Sequence, residues 1–202
     1  MDEMTINNIS PIVSVVALIV SLFTAWFTIF RRGTVCSTHP SLIAFSYDFV
    51  GMKVPQAKIF LRTLLFSTGK RGNVIESLFI RIREGSRSEE FSCWGYGDKD
   101  LLMVSGGIFV PETGVVTNHH FNPVDSDSLF LFSKGTYSLE LVAKIIGRNQ
   151  FASLWTITLE MPPVFSDPDT SLNKAVFFYW SPEQLRWLIQ FDERPSTSRL
   201  ER

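Results

Sequence analysis

A run of twenty consecutive residues without a charge, from Pro11 to Phe30, sets the first constraint on this chain. An α-helix rises 1.5 Å per residue, so a helix of this length measures ~30 Å, the hydrocarbon thickness of a bilayer. Ser10 before the run is a good N-cap, and Gly33 beyond it is a helix breaker. The sequence therefore predicts a transmembrane helix over residues 11–32, preceded by a short tail over residues 1–10.

Charges beside the predicted helix indicate its orientation. No lysine or arginine precedes it, whereas Arg31 and Arg32 follow it directly. By the positive-inside rule, we expect the N-terminus outside and everything after Arg32 in the cytoplasm. The two cysteines, Cys36 and Cys93, agree with a reducing compartment, although their number also allows one disulfide. A cleavable signal peptide is the alternative, but the first ten residues carry two acidic side chains and no cation.

One face of the predicted helix is small and hydroxylated, because such residues recur at spacings of three and four: Ser14, Ala17, Ser21, Thr24 and Thr28. Small residues let helix backbones approach one another in a bilayer, and hydroxyl groups form hydrogen bonds between helices. The face predicts self-association in the lipid bilayer, or association with a partner protein through the helix. The alternative is that the hydroxyl groups bond back to their own backbone.

After the helix, turn residues divide the chain into short β-patterned runs. Eight runs have the alternation and the flanking turn signals of strands: residues 41–49, 57–67, 73–84, 88–97, 114–121, 127–133, 136–146 and 151–160. Strands at this spacing predict a sandwich or a barrel. We expect a mainly β protein, with one antiparallel β-sandwich over residues 41–161 and a juxtamembrane linker over residues 33–40.

The run FLFSKGTYSLELVAKI, Phe130 to Ile145, resembles the corner between strands E and F of immunoglobulin-like and fibronectin-type-III-like sandwiches. In such sandwiches a tyrosine near the start of strand F bonds back to the backbone of the corner. The resemblance implies an immunoglobulin-like fold in which Gly135 is the turn residue and Tyr137 the corner tyrosine. The chain departs from antibody domains because Leu139 stands where their second cysteine lies, so the resemblance implies no inter-sheet disulfide. A fold so widely reused implies no function.

The chain ends in an aromatic-rich appendage over residues 162–194, followed by a tail over residues 195–202 that we expect to be disordered. A strand-like run, AVFFYW, precedes SPEQ, whose serine, proline and glutamine match the N-cap, N1 and N3 positions of a helix. We expect a short helix over residues 182–191, with a hairpin turning at SPEQ as the alternative. The aromatic side chains either dock on the sandwich or form an interaction surface. Three are candidates for such a surface: Phe178, Trp180 and Trp187.

No catalytic, cofactor-binding or metal-binding motif occurs in the sequence. Gly-x-Ser-x-Gly, His-Glu-x-x-His and Cys-x-x-Cys are absent. His119 and His120 are adjacent, but neighbours on a strand point to opposite faces and do not converge on one metal. With 19 basic and 20 acidic residues the chain has a net charge of −1, so no basic field indicates nucleic-acid binding. We expect no cofactor and no enzymatic activity.

Cations concentrate around the predicted hairpin that GKRGN closes. Six are candidates for binding an anion or lipid headgroups: Arg62, Lys70, Arg71, Arg81, Arg83 and Arg87. The alternative is a strand face whose charges lie in water.

These features predict a single-pass membrane protein that works by binding, as a sensor, adaptor or scaffold, with its sandwich in the cytoplasm. Three alternatives stay open on the sequence. In the first, the chain is a membrane effector that oligomerises through its helix and disturbs the bilayer when a ligand or partner binds. In the second, it is an extracytoplasmic adhesion or envelope module. In the third, it is an enzyme built on a sandwich scaffold.

Overall fold

The structure, a computed structural model, describes residues 3–31, 33–48, 55–97, 102–125, 130–163 and 174–193. Helix α1 (Glu3–Ala25) continues into a π-helical turn (Trp26–Phe30), and the described chain beyond it is mainly β. Its strands are β1 (Val35–Ser37), β2 (Leu42–Asp48), β3 (Gln56–Ser67), β4 (Asn73–Glu84), β5 (Arg87–Tyr96), β6 (Met103–Val104), β7 (Ile108–Val110), β8 (Val115–Pro123), β9 (Gly135–Ile145), β10 (Phe151–Met161), β11 (Lys174–Ser181) and β12 (Arg186–Glu193).

All described strands belong to one antiparallel sheet. Its main path runs β10-β9-β4-β5-β8-β3-β2-β11-β12, and β1, β6 and β7 pair with β3, β5 and β4. Alternation orients the side chains: on β9, Tyr137, Leu139 and Leu141 are buried while Ser138 and Glu140 lie on the outer side. Buried residues from strands along the path form one hydrophobic cluster, so the sheet curls around a single core. The mainly β class is confirmed, and the arrangement is compatible with the sandwich or barrel that the strand spacing predicts.

The predicted strand over residues 127–133 is wrong in its described part. Residues 130–133 lie outside the strands, although Phe130 and Phe132 are buried in the core. The Phe132 amide donates to the Tyr47 hydroxyl at 2.7 Å, and the Ser133 amide donates to the Tyr137 hydroxyl at 2.9 Å. Because two tyrosines accept these amide protons, the segment needs no neighbouring strand. It forms an aromatic plug beside the β4–β5 turn.

The plug fixes the corner that leads into β9. Tyr137 is fully buried and its hydroxyl bonds to the backbone four residues upstream, which is the contact that the immunoglobulin-like resemblance implies. The Ser133 hydroxyl also donates to the Glu84 carboxylate at 2.7 Å, which ties the corner to the end of β4. A Cβ atom on Gly135 would lie 2.7 Å from that carboxylate, so glycine leaves room for it.

The predicted helix start at Ser10 and Pro11 is wrong, because α1 begins at Glu3 and contains Pro11. A proline within a helix removes one backbone hydrogen bond, and helices in membranes tolerate that loss. The apolar run itself, Pro11–Phe30, is helical, is not buried within the protein, and is long and apolar enough to cross a membrane.

The predicted C-terminal helix over residues 182–191 is also wrong, and the alternative hairpin is present. Strands β11 and β12 pair along their whole length, from Lys174 with Glu193 to Ser181 with Arg186. The Ser181 hydroxyl accepts the Gln184 amide at 3.3 Å, as an N-cap would. The chain then turns at Leu185, whose φ of 49° ends any helical path. β11 pairs with β2 through Val176 to Tyr179, and this pairing outweighs the local helix signal.

Residues 33–40 do not form a linker. β1 (Val35–Ser37) pairs with the end of β3, and Val35 and Pro40 are buried. The Thr38 amide donates to the Leu64 carbonyl at 3.0 Å. The segment after the helix is therefore part of the sheet. The predicted tail over residues 195–202 lies outside the described residues, as do residues 164–173 of the appendage.

Replacement of Phe132 by alanine tests the aromatic plug. Phe132 lies 5.1 Å from Phe45 and 5.3 Å from Phe130, centroid to centroid, so its loss leaves a cavity in the core. We expect the free energy of unfolding to fall by about 3–5 kcal/mol. The control is Phe151→Ala at an exposed ring, for which about 1 kcal/mol or less is expected. Urea unfolding in detergent, followed by tryptophan fluorescence, measures both, and equal losses would contradict the buried plug.

Candidate functional site

The helix joins the sheet through a close contact between two glycines. A Cβ atom on Gly69 would lie 2.6 Å from the Gly33 nitrogen, so the two backbones touch. Next to this contact, the Thr34 amide donates to the Thr68 hydroxyl at 2.7 Å, and the Thr68 amide donates to the Thr34 carbonyl at 2.9 Å. The chain leaving the helix is therefore held against the β3–β4 turn without a spacer.

Two arginines of the β-domain reach back to the end of the helix. Arg71, in the β3–β4 turn, donates to the Ile29 carbonyl at 3.3 Å, and Arg148, after β9, donates to the Gly33 carbonyl at 2.8 Å. The last carbonyls of a helix have no partner within it and carry the negative end of the helix dipole. Arg71 is well suited to this place, and Arg148 adds a second contact at Gly33, three residues beyond the helix.

Exposed apolar and basic side chains lie beside this junction together with the partly buried Arg148, and we call this group the collar. Its residues are Lys70, Arg71, Val74, Phe109, Ile146 and Arg148. Val74 pairs with Phe109 across β4 and β7, and the Ile146 amide donates to the Val74 carbonyl at 2.9 Å. Phe109 and Ile146 each expose 60% of their surface. The apolar members and Arg71 line an open hollow of about 280 Å³.

The structure does not bring the six predicted cations into one patch. Lys70 and Arg71 lie in the collar, whereas Arg87 begins β5 at the other end of the sheet, over the Phe130 ring at 4.1 Å. Arg62 lies on β3, which β5 and β8 separate from β4 in the sheet.

The two remaining predicted cations are partly neutralised. Arg81 forms ion pairs with Glu90 at 2.7 Å and Glu140 at 3.0 Å, and Arg83 lies 4.0 Å from Glu140. The hydrogen bond with Glu90 raises the pKa of Arg81 above its ordinary value. Of the predicted patch, only the Lys70 and Arg71 pair borders the helix end.

The hydroxyl groups on the predicted association face bond to their own helix. Ser21 donates to the Ala17 carbonyl at 2.8 Å, and Thr28 donates to the Thr24 carbonyl at 2.7 Å. Thr24 donates in the same way to the Val20 carbonyl at 2.8 Å. This is the alternative that the sequence leaves open. Helix association stays a prediction, with small exposed side chains as its support.

The predicted aromatic surface is divided between core and edge. Phe178 is buried and belongs to the core, so the prediction that it is a surface residue is wrong. Trp180 and Trp187 are half-buried and lie 5.4 Å apart, and His39 packs against both, at 4.4 Å and 5.2 Å between ring centroids. The three rings close the end of the β11–β12 hairpin next to the segment that follows the helix.

Strand β12 ends the described sheet and keeps an apolar surface exposed. Within the described residues it pairs with β11 only. Ile189 and Phe191 lie opposite the buried Phe178 and Val176, yet both remain half-exposed, so the core ends before the sheet does. Leu188, on the other side of the strand, is 41% exposed. Edge strands of this kind are templates for an added strand.

His119 and His120 point to opposite faces of β8, as alternation predicts. His119 is fully buried, and neither of its ring nitrogens has a hydrogen-bond partner among the described residues. Burial, with a smaller effect from His120, lowers the pKa of His119 to about 4. His120 lies on the outer side, against the rings of Phe60 and Trp94.

Ligand groups and reactive thiols do not converge in the described part of the chain. No group of three or more histidine, cysteine, aspartate or glutamate residues lies close enough there to hold a metal ion. Cys36 and Cys93 are both free, and burial raises the pKa of Cys93 to about 11, which keeps its thiol protonated.

The residues of the junction and the collar that the sequence did not indicate as a site are Gly33, Gly69 and Arg148, together with the exposed Phe109 and Ile146. A glycine directly after an apolar helix is a weak signal for a close contact, and nothing local distinguishes Arg148 from other turn cations.

A scan against protein-family models finds no match for this chain, and a search of curated proteins finds none either.

The buried His119 predicts a pH-dependent stability. In the unfolded chain, His119 binds a proton below about pH 6.5. In the folded chain, it stays neutral until the pH falls to about 4. The free energy of unfolding therefore falls as the pH is lowered, by about 1.5 kcal/mol at this group between pH 6.5 and 5. Urea unfolding in detergent at a series of pH values measures the fall.

His119→Phe is expected to remove most of this dependence, because a neutral ring of similar size fills the site. The control, His39→Gln at an exposed ring, is expected to keep it. An unchanged pH dependence in His119→Phe would show that other groups cause it.

Proposed function

We propose that this chain is a single-pass membrane-anchored binding protein, a sensor, adaptor or scaffold without enzymatic activity, whose β-domain lies in the cytoplasm. The observation that carries the proposal is the junction. An exposed, uncharged helical span, Pro11–Phe30, leads directly into a sheet from which Arg71 donates to the Ile29 carbonyl of the helix and Arg148 to the Gly33 carbonyl just beyond it. Such a joint suits a domain that works at a fixed place beside a bilayer.

The cytoplasmic orientation rests on the cations that follow the helix. Arg31 and Arg32 come directly after the apolar run, and no lysine or arginine precedes it. The positive-inside rule counts cations that lie close to the end of the span in sequence, so these two residues carry the proposed orientation.

Binding is proposed to occur at the exposed edge of β12. A partner in extended conformation would add a strand there, with main-chain hydrogen bonds for affinity and alternate side chains for specificity. The uncovered Ile189 and Phe191 offer apolar contacts on one side of the strand, and Leu188 offers one on the other. Arg186 and Asp192, both exposed, mark the two ends of this edge with opposite charge.

The immunoglobulin-like relationship is part of the same proposal. It is supported by the buried Tyr137, whose hydroxyl accepts the Ser133 amide at the corner before β9. The aromatic plug and the β11–β12 hairpin are features of this chain beyond that resemblance.

Cysteine labelling tests the orientation. In a Cys36→Ser, Cys93→Ala background, Ser86→Cys places one thiol in the exposed β4–β5 turn, and Thr5→Cys places one before the membrane span. An impermeant maleimide is expected to label position 5 in intact cells and position 86 only after permeabilisation. Labelling of position 86 in intact cells would make an extracytoplasmic adhesion or envelope role the better reading.

Site-specific photocrosslinking tests the edge. A benzophenone side chain at Leu188, in the intact chain in its own membrane, is expected to give a discrete adduct, because a partner strand covers that position. The control position is Val124, which is 58% exposed and lies just beyond the end of β8. Adducts in equal yield from both positions, or from neither, would contradict binding at β12.

A further inference from the structure

We infer that the collar docks on anionic phospholipid headgroups of the leaflet that the helix enters, so that the β-domain rests on the membrane rather than hanging from it. This inference rests on the proposed membrane anchorage and names a second partner surface, separate from β12. The occupant is the lipid surface itself, because the collar is continuous with the end of the membrane-spanning helix.

The position of the collar follows from chain geometry. The apolar span ends at Phe30, and the headgroup layer beyond the hydrocarbon is about 5–8 Å thick on each side. Gly33 is three residues past Phe30, which places it within about 10 Å even for extended chain. Arg71 reaches the Ile29 carbonyl, inside the span itself, and Arg148 reaches Gly33. The collar therefore begins at the depth of the headgroups.

The apolar members of the collar match this depth. Phe109 and Ile146 are 60% exposed, and Val74 between them is partly exposed. The adjoining hollow is open and contains Gly72 and Gly147, which have no side chains to cover these residues. Aromatic side chains are enriched where a protein meets the membrane interface, and apolar groups there leave water.

The charges of the collar complete the match. Within the described ranges, no carboxylate forms an ion pair with Lys70, Arg71 or Arg148, whereas Arg81 is paired twice. Arg71 donates one N–H group to Ile29 and Arg148 donates one to Gly33, so both keep further donors for phosphate oxygens. A cation near an anionic leaflet strengthens attachment about fivefold, and the cytoplasmic leaflet is the anionic one.

Spin-label depth measurements on the full chain in nanodiscs test the inference. In a Cys36→Ser, Cys93→Ala background, a nitroxide is placed at Ile146→Cys in the collar, or at Val124→Cys as an equally exposed control. Relaxation by oxygen and by a water-soluble nickel complex measures the depth of each label. In nanodiscs with phosphatidylserine we expect the label at 146 at headgroup depth and the label at 124 in water.

Charge neutralisation separates docking from anchorage. Lys70→Gln is expected to lower the ratio of docked to undocked protein about fivefold, while Lys134→Gln, away from the collar, leaves it unchanged. High salt and purely zwitterionic nanodiscs are expected to lower this ratio further, since they weaken the attraction of all three collar cations to anionic lipid.

Two outcomes distinguish the failure of this inference from the failure of the proposed function. A label at 146 as accessible to the nickel complex as the label at 124, in a chain that inserts into the nanodisc, would overturn docking and leave anchorage intact. A chain that does not insert at all would overturn the anchorage and the docking with it.

Discussion

The contact between Gly33 and Gly69 determines how the helix relates to the sheet. A Cβ atom on Gly33 would overlap the Gly69 nitrogen, so a side chain at this position would push the β3–β4 turn away from the helix end. The hydrogen bonds between Thr34 and Thr68 depend on this approach, as does the reach of Arg71 to Ile29. A chain leaving a membrane on a flexible linker would lose all these contacts, and its domain would have no fixed face towards the bilayer.

The apolar face of the sheet is covered beside the β4–β5 turn but is left partly exposed at the β12 edge. Beside the β4–β5 turn, Phe130 and Phe132 fill the curled interior, and two tyrosine hydroxyls take over the backbone bonds that a strand would otherwise make. At the β12 edge no such plug lies among the described residues, and Ile189 and Phe191 stay half-exposed although they continue the core face of β11. Natural proteins usually protect such an edge. The exposed apolar edge supports the proposed addition of a partner strand at β12.

The sequence predicts what depends on neighbouring residues and misses what depends on distant ones. The predicted run over residues 73–84 coincides with β4, because its inner and outer faces differ in polarity. The run at 127–133 has the same alternation, but the amides of Phe132 and Ser133 donate to tyrosine hydroxyls instead of a strand, which no local pattern reveals. The capping signal at Ser181 is real and its hydrogen bond forms, yet pairing between β11 and β2 decides the structure there.

The positions of the cations also depend on contacts between distant residues, which the sequence does not reveal. Arg62 and Arg81 are close in sequence, but β5 and β8 lie between their strands, while Arg148 joins Arg71 at the helix end from a distant turn. The net charge of −1 hides this arrangement, because Glu90 and Glu140 neutralise strand cations while the collar keeps its own. An exposed pair on a strand contributes little in water, whereas an unpaired cation at headgroup depth meets a fixed field of opposite sign. In the docking proposed above, the position of the collar cations, rather than the net charge, therefore sets the attraction to a membrane.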